Sequence, residues 1–343
     1  MSTPGGRPVL SIAIPTRNGA SRLPDTLRSI ASQEVAAPVE VVIVDDGSTD
    51  GAGEAAEGFP LPWGPPRIVR HLVSCGRAAA CNAGVEAARS EVVVILDDDM
   101  TLLPGALEAH RAFHAQNRRC AARARVTLAA PKCETCFSRF LAREEAMQER
   151  ALLARRDDVP FSLGQTGHFS IRRDVLLEAG GFDTTITRYG FEDIELGYRL
   201  AEHRVRIVYL PAAASTHRAY ITDLERYLTR HFEAGIVARQ LADRYLRGPL
   251  RDYLRVDPPA RLGVGADPAG LVLLRISNRA LLWRPLRRAL GSRSLFALLL
   301  GLLRAGESLR LDRAVHLGYH VARDVRYFQG YFGDPKPVGS PPG

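Results

Sequence analysis

The chain has 343 residues, 46% of them hydrophobic, and a formal net charge of +8. That length and apolar content exclude a disordered or fibrous chain and leave room for one large domain with a smaller appendage. The positive balance suggests an anionic partner such as phosphate, nucleic acid or a membrane surface, although arginine is abundant throughout.

The amino-terminal "MSTPGGRPVL" has neither the apolar stretch nor the cleavage pattern of a secretory signal, which predicts a cytoplasmic protein. From Val9 onward short β-rich runs alternate with helical patterns, the rhythm of a mostly parallel sheet covered by helices. "VLSIAIP" reads as the first strand, and "SRLPDTLRSIASQ" as a helix with Ser21 at its N-cap and Pro24 in its first turn. "VEVVIVDDGSTD" is the second strand running into acids, "RIVRHL" the third, "GRAAACNAGVEAAR" a helix, and "EVVVILDDD" the fourth strand. "LPGALEAHRAFHAQN" follows as a crossover helix, "RVTLAAP" returns to the sheet, and the charged segment from Lys132 to Asp158 suits a helical insertion. "GHFSIRRDVLLEAGGF" reads as a strand, a short helix and a glycine stop, with His168 expected at the surface. "EDIELGYRLAEH" is a helix whose apolar stripe is Ile194, Tyr198 and Ala201, and "VRIVYLP" is the strand after it.

Beyond Arg218 the strand pattern stops. The expected organisation is a tail over residues 1–8, an α/β domain over 9–220, a helical region over 221–330 with a Pro/Gly linker inside it, and a tail over 331–343. The apolar run from Leu295 to Leu303 falls short of the ~20 residues that span a bilayer. The basic segment with Leu282, Trp283, Arg284, Arg287 and Arg288 suits packing, a dimer contact, or the inner face of an anionic membrane, with packing favoured. Five cysteines in irregular spacing argue against a disulfide framework. Cys133 and Cys136 with Cys120 offer three sulfurs to zinc, but no further pair or nearby histidine completes a site, and ordinary thiols are the simpler reading.

Four groups of residues carry possible chemistry. Two strands end in acids, Asp45 and Asp46 on one and Asp97, Asp98 and Asp99 on the other, and in open α/β sheets ligands bind beyond the carboxyl ends of the strands. Alternation along an extended segment would point Asp97 and Asp99 to one side, as a half-site for a hard divalent cation, and turn Asp98 away. A solvated turn is the bland alternative for each cluster. Arg77 and Asn82 stand near the start of a helix, where free N–H groups favour an anion. Glu192 and Asp193 open another helix, where they serve either as capping acids or as a general base, and His217 follows the last strand as a further candidate metal ligand.

The ordered set "IAIPTRNG", "VVIVDDGSTD", "GRAAACNAG", "ILDDDM" with "LPG", "GGFD", "FEDIELGYRL" and a late histidine resembles the family 2 glycosyltransferases over roughly Val9 to His217. The resemblance implies a GT-A fold, a Rossmann-like α/β sandwich, and inverting transfer of a sugar from a nucleotide diphosphate donor, with UDP-sugar favoured, to a hydroxyl or similar acceptor. It implies Mn2+ or Mg2+ held by Asp97, Asp99 and His217, and nucleotide contacts from Pro15, Thr16, Asp45, Asp46, Arg77, Asn82, Asp97 and Asp98. It implies Asp193 as the base and Glu192 beside it for the acceptor. The chain departs from the family at Ala80-Cys81-Asn82, where many relatives carry Ala-Arg-Asn, so the phosphate contact falls to Arg77 or elsewhere. The acceptor stays open between a natural product, a glycan and a lipid-linked compound. Rival readings are a nucleotide-sugar-binding protein without turnover and a sugar nucleotidyltransferase. Nucleic acid ranks last, because the basic residues lack interleaved aromatics.

Overall fold

The computed structural model describes residues 7–129, 135–218, 223–256, 292–309 and 312–333. Within them the chain forms two compact units. The first groups most of the chain up to Arg218 around one sheet, and the second groups α5 (Cys136–Ala154) as far as Arg150, the turn Arg188–Phe191, and the described residues from Asp223 onward.

The sheet of the first unit contains β1 (Leu10–Thr16), β2 (Val39–Asp46), β3 (Arg67–His71), β4 (Val92–Leu96), β5 (Met100–Leu102), β6 (Cys120–Leu128), β7 (His168–Arg172) and β8 (Arg206–His217). Their order is β3-β2-β1-β4-β7-β6-β8-β5. Strands β3, β2, β1 and β4 run parallel, while β7 and β5 run antiparallel to their neighbours. Every residue of β2 and β4 is buried, which explains their continuous apolar runs: the two faces of the sheet are covered by different helices.

Strand parity makes this concrete. Leu10, Ile12 and Ile14 of β1, with Val92, Val94 and Leu96 of β4, face a layer built from α1 (Leu23–Ala31), α2 (Ala52–Glu57) and α4 (Ala106–Gln116). Ala13, Val93 and Ile95 point the other way, onto α3 (Arg77–Ala87). Burying Leu23, Leu27 and Ile30 of α1 stabilises the first layer by roughly 1.5–3 kcal/mol per side chain. On the opposite face Gly84 lets α3 approach β1 closely, since a Cβ there would lie 2.8 Å from the Ala13 Cβ.

Three expectations change. Helix α1 has Arg22, not Ser21, at its N-cap, and the Gly19 carbonyl accepts the first helical N–H groups. The stripe Ile194, Tyr198 and Ala201 is not the buried face of α7 (Glu192–Glu202); Leu196, Leu200, Gly197 and Glu195 are. Glu195 misleads the periodicity because a charge is buried there, paired with Arg199 at 2.7 Å. His168 is buried in the sheet, hydrogen-bonded to His110 and Ser215, because β7 is interior.

In the second unit α8 (Leu224–Arg244) meets α11 (Asp312–Phe332) through reciprocal glycines. A Cβ on Gly235 would lie 2.0 Å from the Tyr327 carbonyl oxygen and one on Gly330 would lie 1.9 Å from that of Phe232. The rings of Phe137, Phe140, Tyr227 and Tyr319 pack beside that contact. The remaining helices are α9 (Pro249–Val256) and α10 (Arg293–Ser308). Short α6 (Arg173–Glu178) belongs to the first unit. The Pro/Gly linker, the segment with Leu282 to Arg288, Cys133 and both tail ends lie outside the described residues. Cys120 is a buried free thiol, and Cys136 is buried. No helix among the described residues is long and apolar enough to cross a membrane.

Candidate active site

The run of three aspartates is where the sequence is most unusual, and local geometry resolves it. Strand β4 ends at Leu96 and β5 begins at Met100, so the acids occupy the turn between two strands and strand alternation does not apply to them. Each finds its own partner. Asp97 Oδ1 accepts from Arg77 at 2.7 Å. Asp98 accepts from Thr16 at 2.6 Å and from Arg22 through both oxygens, at 2.9 and 3.2 Å. Asp99 Oδ2 lies 3.1 Å from His217 Nε2.

These surroundings separate the three chemically. Burial raises the Asp98 pKa, and the hydrogen bonds from Arg22 and Thr16 only partly offset it. Burial also works to raise Asp99, but the hydrogen bond and charge of His217 outweigh it and hold the carboxyl below its ordinary value. Asp98 is thus a structural clasp, tying the start of α1 to the turn, with its backbone carbonyl accepting from Thr26 at 2.8 Å. Gly19 permits that closeness, since a Cβ there would stand 2.2 Å from an Asp98 oxygen.

Asp99 is different. Its Oδ1 is buried with no hydrogen-bond partner among the described residues. An ionised oxygen in that position is costly unless something positive meets it. With His217 at hand, the oxygen and nitrogen donors fit a divalent cation. Asp97 instead faces Arg77, so it does not gather with Asp99 and His217 into one close trio.

Arg77, the first residue of α3, joins this turn to the start of α7. Its guanidinium donates to Asp97 and to Thr166 Oγ1 at 3.2 Å, and its Nη1 lies 3.5 Å from Glu192 Oε1. The other Glu192 oxygen, Oε2, is buried without a hydrogen-bond partner among the described residues. Asp193 accepts from the Ile194 N–H at 2.8 Å. Burial first, then the Glu192 charge, raise its pKa to about 7, with Arg77 opposing. Phe191, just before the pair, has a φ of 69°, a left-handed conformation that a bulky residue adopts only under constraint.

The other predicted residues stand as follows in the ligand-free chain. Asp46 is saturated: Oδ1 accepts from His71 at 2.7 Å and from the Cys75 N–H at 2.8 Å, and Oδ2 from Ser74 at 2.7 Å and the Gly76 N–H at 2.9 Å. Burial raises its pKa, yet these four donors outweigh burial and lower it. Asp45 is buried and accepts from the Ser48 N–H at 2.9 Å. Asn82 spends both ends of its amide on Phe182, donating to the carbonyl and accepting from the N–H, each at 2.8 Å. Thr16 serves Asp98, and Pro15 stands half-buried in β1. Arg77, expected against a diphosphate, is engaged by acids. Thr166, Arg22 and Thr26 had no sequence signal beyond the glycine-flanked "GQTGHFS" and the first helix pattern, because their partners lie 72 to 89 residues away.

The family model "Glycosyl transferase family 2" matches residues 11–178. Among curated proteins the chain is similar to the pre-mycofactocin glycosyltransferase of Mycobacterium tuberculosis, 29% identical over 251 residues, covering 71% of this chain and 49% of that protein. It is also similar to the validoxylamine A glucosyltransferase of Streptomyces hygroscopicus, 26% identical, covering 65% and 61%. The chain thus spans about half to three fifths of these relatives. Among solved structures, the mannosyltransferase PcManGT of Pyrobaculum calidifontis, in complex with GDP-Man and Mn2+, superposes with a TM-score of 0.57 at 21% identity, over 97% of this chain and 89% of that one. S. aureus TarS 1–349 superposes with a TM-score of 0.52 at 17% identity, over 94% and 91%. These likenesses establish the GT-A fold.

Proposed function

The chain belongs to glycosyl transferase family 2 through residues 11–178, and on that premise we propose that it moves a sugar from a nucleoside diphosphate donor, with UDP-sugars the first to test, to an acceptor hydroxyl with inversion. The observation that carries this reading is the bridge by Arg77 between Asp97 of the β4 turn and Glu192 of α7, next to an Asp193 whose pKa is raised to about 7. Two acidic segments far apart in sequence are held at one guanidinium, as a donor site beside an acceptor site requires.

In this reading Asp193 takes the proton of the acceptor hydroxyl. A base is most effective with a pKa near the working pH, and such a group is typically worth ~10²–10⁴-fold in rate. Glu192, with one oxygen unpartnered among the described residues, accepts a hydrogen bond from the acceptor and orients it. Arg77 fixes Asp97 and Glu192 relative to each other, and Thr166 steadies Arg77. Asp99 and His217 would hold a divalent cation, and the mixed oxygen and nitrogen donors lean towards Mn2+ over Mg2+. When bound, such an ion neutralises charge on a departing diphosphate. The activities for which these relatives are named, glycosyl transfer in one and glucosyl transfer in the other, support the reaction class.

A thermal-shift screen of UDP, GDP and other nucleoside diphosphates, with and without Mn2+, tests the donor half. The expected outcome is stabilisation by one nucleotide that grows with Mn2+ and is lost in Asp99→Asn. No stabilisation by any nucleotide would contradict the reading.

A further inference from the structure

A second gathering of metal-ligating atoms in the first unit is not used by the transfer chemistry. Asp46 ends β2, His71 ends β3 directly opposite it in the parallel register, and Cys75 follows in the loop to α3. A carboxylate oxygen, an imidazole nitrogen and the thiol sulfur lie within 4.8 Å of one another, and among the described residues no other trio of His, Cys, Asp or Glu is gathered so closely. We infer that Asp46, His71 and Cys75 form a site for a thiophilic divalent cation such as Zn2+, separate from the hard-cation position at Asp99 and His217.

The donor set argues for the ion class. A thiolate, an imidazole and a carboxylate suit Zn2+, whereas Mg2+ prefers oxygen alone. The backbone already holds the donors in place. Asp46 accepts from the N–H of Cys75 itself, which pins the cysteine beside the carboxylate. The loop is pressed onto the end of β2 as well, since a Cβ on Gly47 would lie 2.7 Å from the Ser74 nitrogen. His71 and Cys75 are also reachable: the imidazole is half-buried and the thiol exposed, donating to the Val73 carbonyl at 3.5 Å.

Binding requires a small rearrangement. The His71 Nδ1 to Asp46 Oδ1 separation of 2.7 Å must open to about 3.3 Å, the spacing of two tetrahedral ligands at Zn2+ distances of ~2.0–2.1 Å. The thiol releases its proton to solvent, and the neutral imidazole carries its own on Nε2, leaving Nδ1 free for the metal. Asp46 keeps its bonds from Ser74, Cys75 and Gly76 throughout. Three protein ligands leave a fourth position for water. The loop runs straight into Arg77, so an ion here would act on the link that Arg77 makes between Asp97 and Glu192.

Adding Co2+ to the reduced, tag-free full chain in excess Mg2+ tests the site, because a thiolate bound to Co2+ gives a charge-transfer band in the near ultraviolet. The expected result is a band that saturates at one equivalent, is displaced by Zn2+, persists in Asp99→Asn, and is lost in Cys75→Ser and in His71→Ala. Cys75 is exposed and serine is nearly isosteric, so circular dichroism of that variant should match the wild type. Absence of the band in the wild type, its survival in Cys75→Ser, or its loss in Asp99→Asn would each overturn the proposal. The band does not depend on turnover, so its outcome is independent of the proposed transferase activity.

Discussion

Two strands of one sheet end in aspartates, and the two ends have been put to opposite uses. At the end of β2, Asp46 accepts four hydrogen bonds and Asp45 closes a turn with Ser48. A carboxylate offers about four acceptor positions, so Asp46 is full. Across the turn after β4 and the start of α7, Asp99 and Glu192 each keep a buried oxygen without a partner among the described residues, and Asp193 is raised to about 7. A saturated carboxylate takes a ligand only by giving up a bond, as Asp46 would give up that from His71, whereas an unsaturated one, costly to bury, is stabilised by a ligand directly.

The sharpest way to break this contrast is to remove one acid from the end of β2 and one from the start of α7. Asp193→Asn should lower transfer by ~10²–10⁴-fold while nucleotide binding stays within a few-fold of wild type. A rate within a few-fold of wild type would remove Asp193 from the role of base. Asp46→Ala should act on stability instead. It strands two backbone N–H groups, Ser74 and His71, and should cost about 3 kcal/mol in denaturant unfolding. A stability unchanged in Asp46→Ala would mean that the β2 end is not the closed structural element described.

Asn82→Ala makes a smaller version of the same test. Losing the two bonds to Phe182 should cost about 1–3 kcal/mol, with the affinity for nucleotide unaltered. A selective loss of nucleotide affinity at constant stability would return Asn82 to the binding site.

The smallest effect concerns pH. Burial and Glu192 raise Asp193 from an ordinary 3.8 to about 7, so the folded chain keeps that proton where the unfolded chain has lost it. This contribution to stability is present in full at low pH and declines as pH rises from about 4 through 7. Asp193→Asn removes the penalty and should melt at or above the wild-type temperature at pH 8. Over the same range the wild-type rate should climb as the base ionises, levelling off above about 7. A rate that is flat from pH 5.5 to 8 would contradict the assignment.

Much of the scaffold was legible in the sequence because it rests on local pattern. The apolar runs of β1, β2 and β4 and the acids at their ends needed only neighbouring residues. Strand β5 is three residues long and depends on pairing with β8 more than a hundred residues later. The start of β6, "CAARA", is buried through small residues and Arg123, whose guanidinium is satisfied by Leu163 and Gln165, so no hydrophobic run announced it. The candidate site divides in the same way. Acid clusters are visible in sequence, but which oxygens remain open depends on Arg22, Ser74, Arg77 and His217, contributed by other segments. Hence Asp46, Asp98 and Asn82 read as ligand contacts in sequence, and only the fold shows that each is already hydrogen-bonded within the chain.

The measurement closest to the central claim is an anomalous difference map from crystals soaked with Mn2+ and the stabilising nucleoside diphosphate. The account predicts a peak within bonding distance of Asp99 and His217, with the diphosphate on its far side towards Arg77. A peak against Asp46 and His71 instead, with Asp99 Oδ1 still unpartnered, would reverse the roles assigned to the two strand ends.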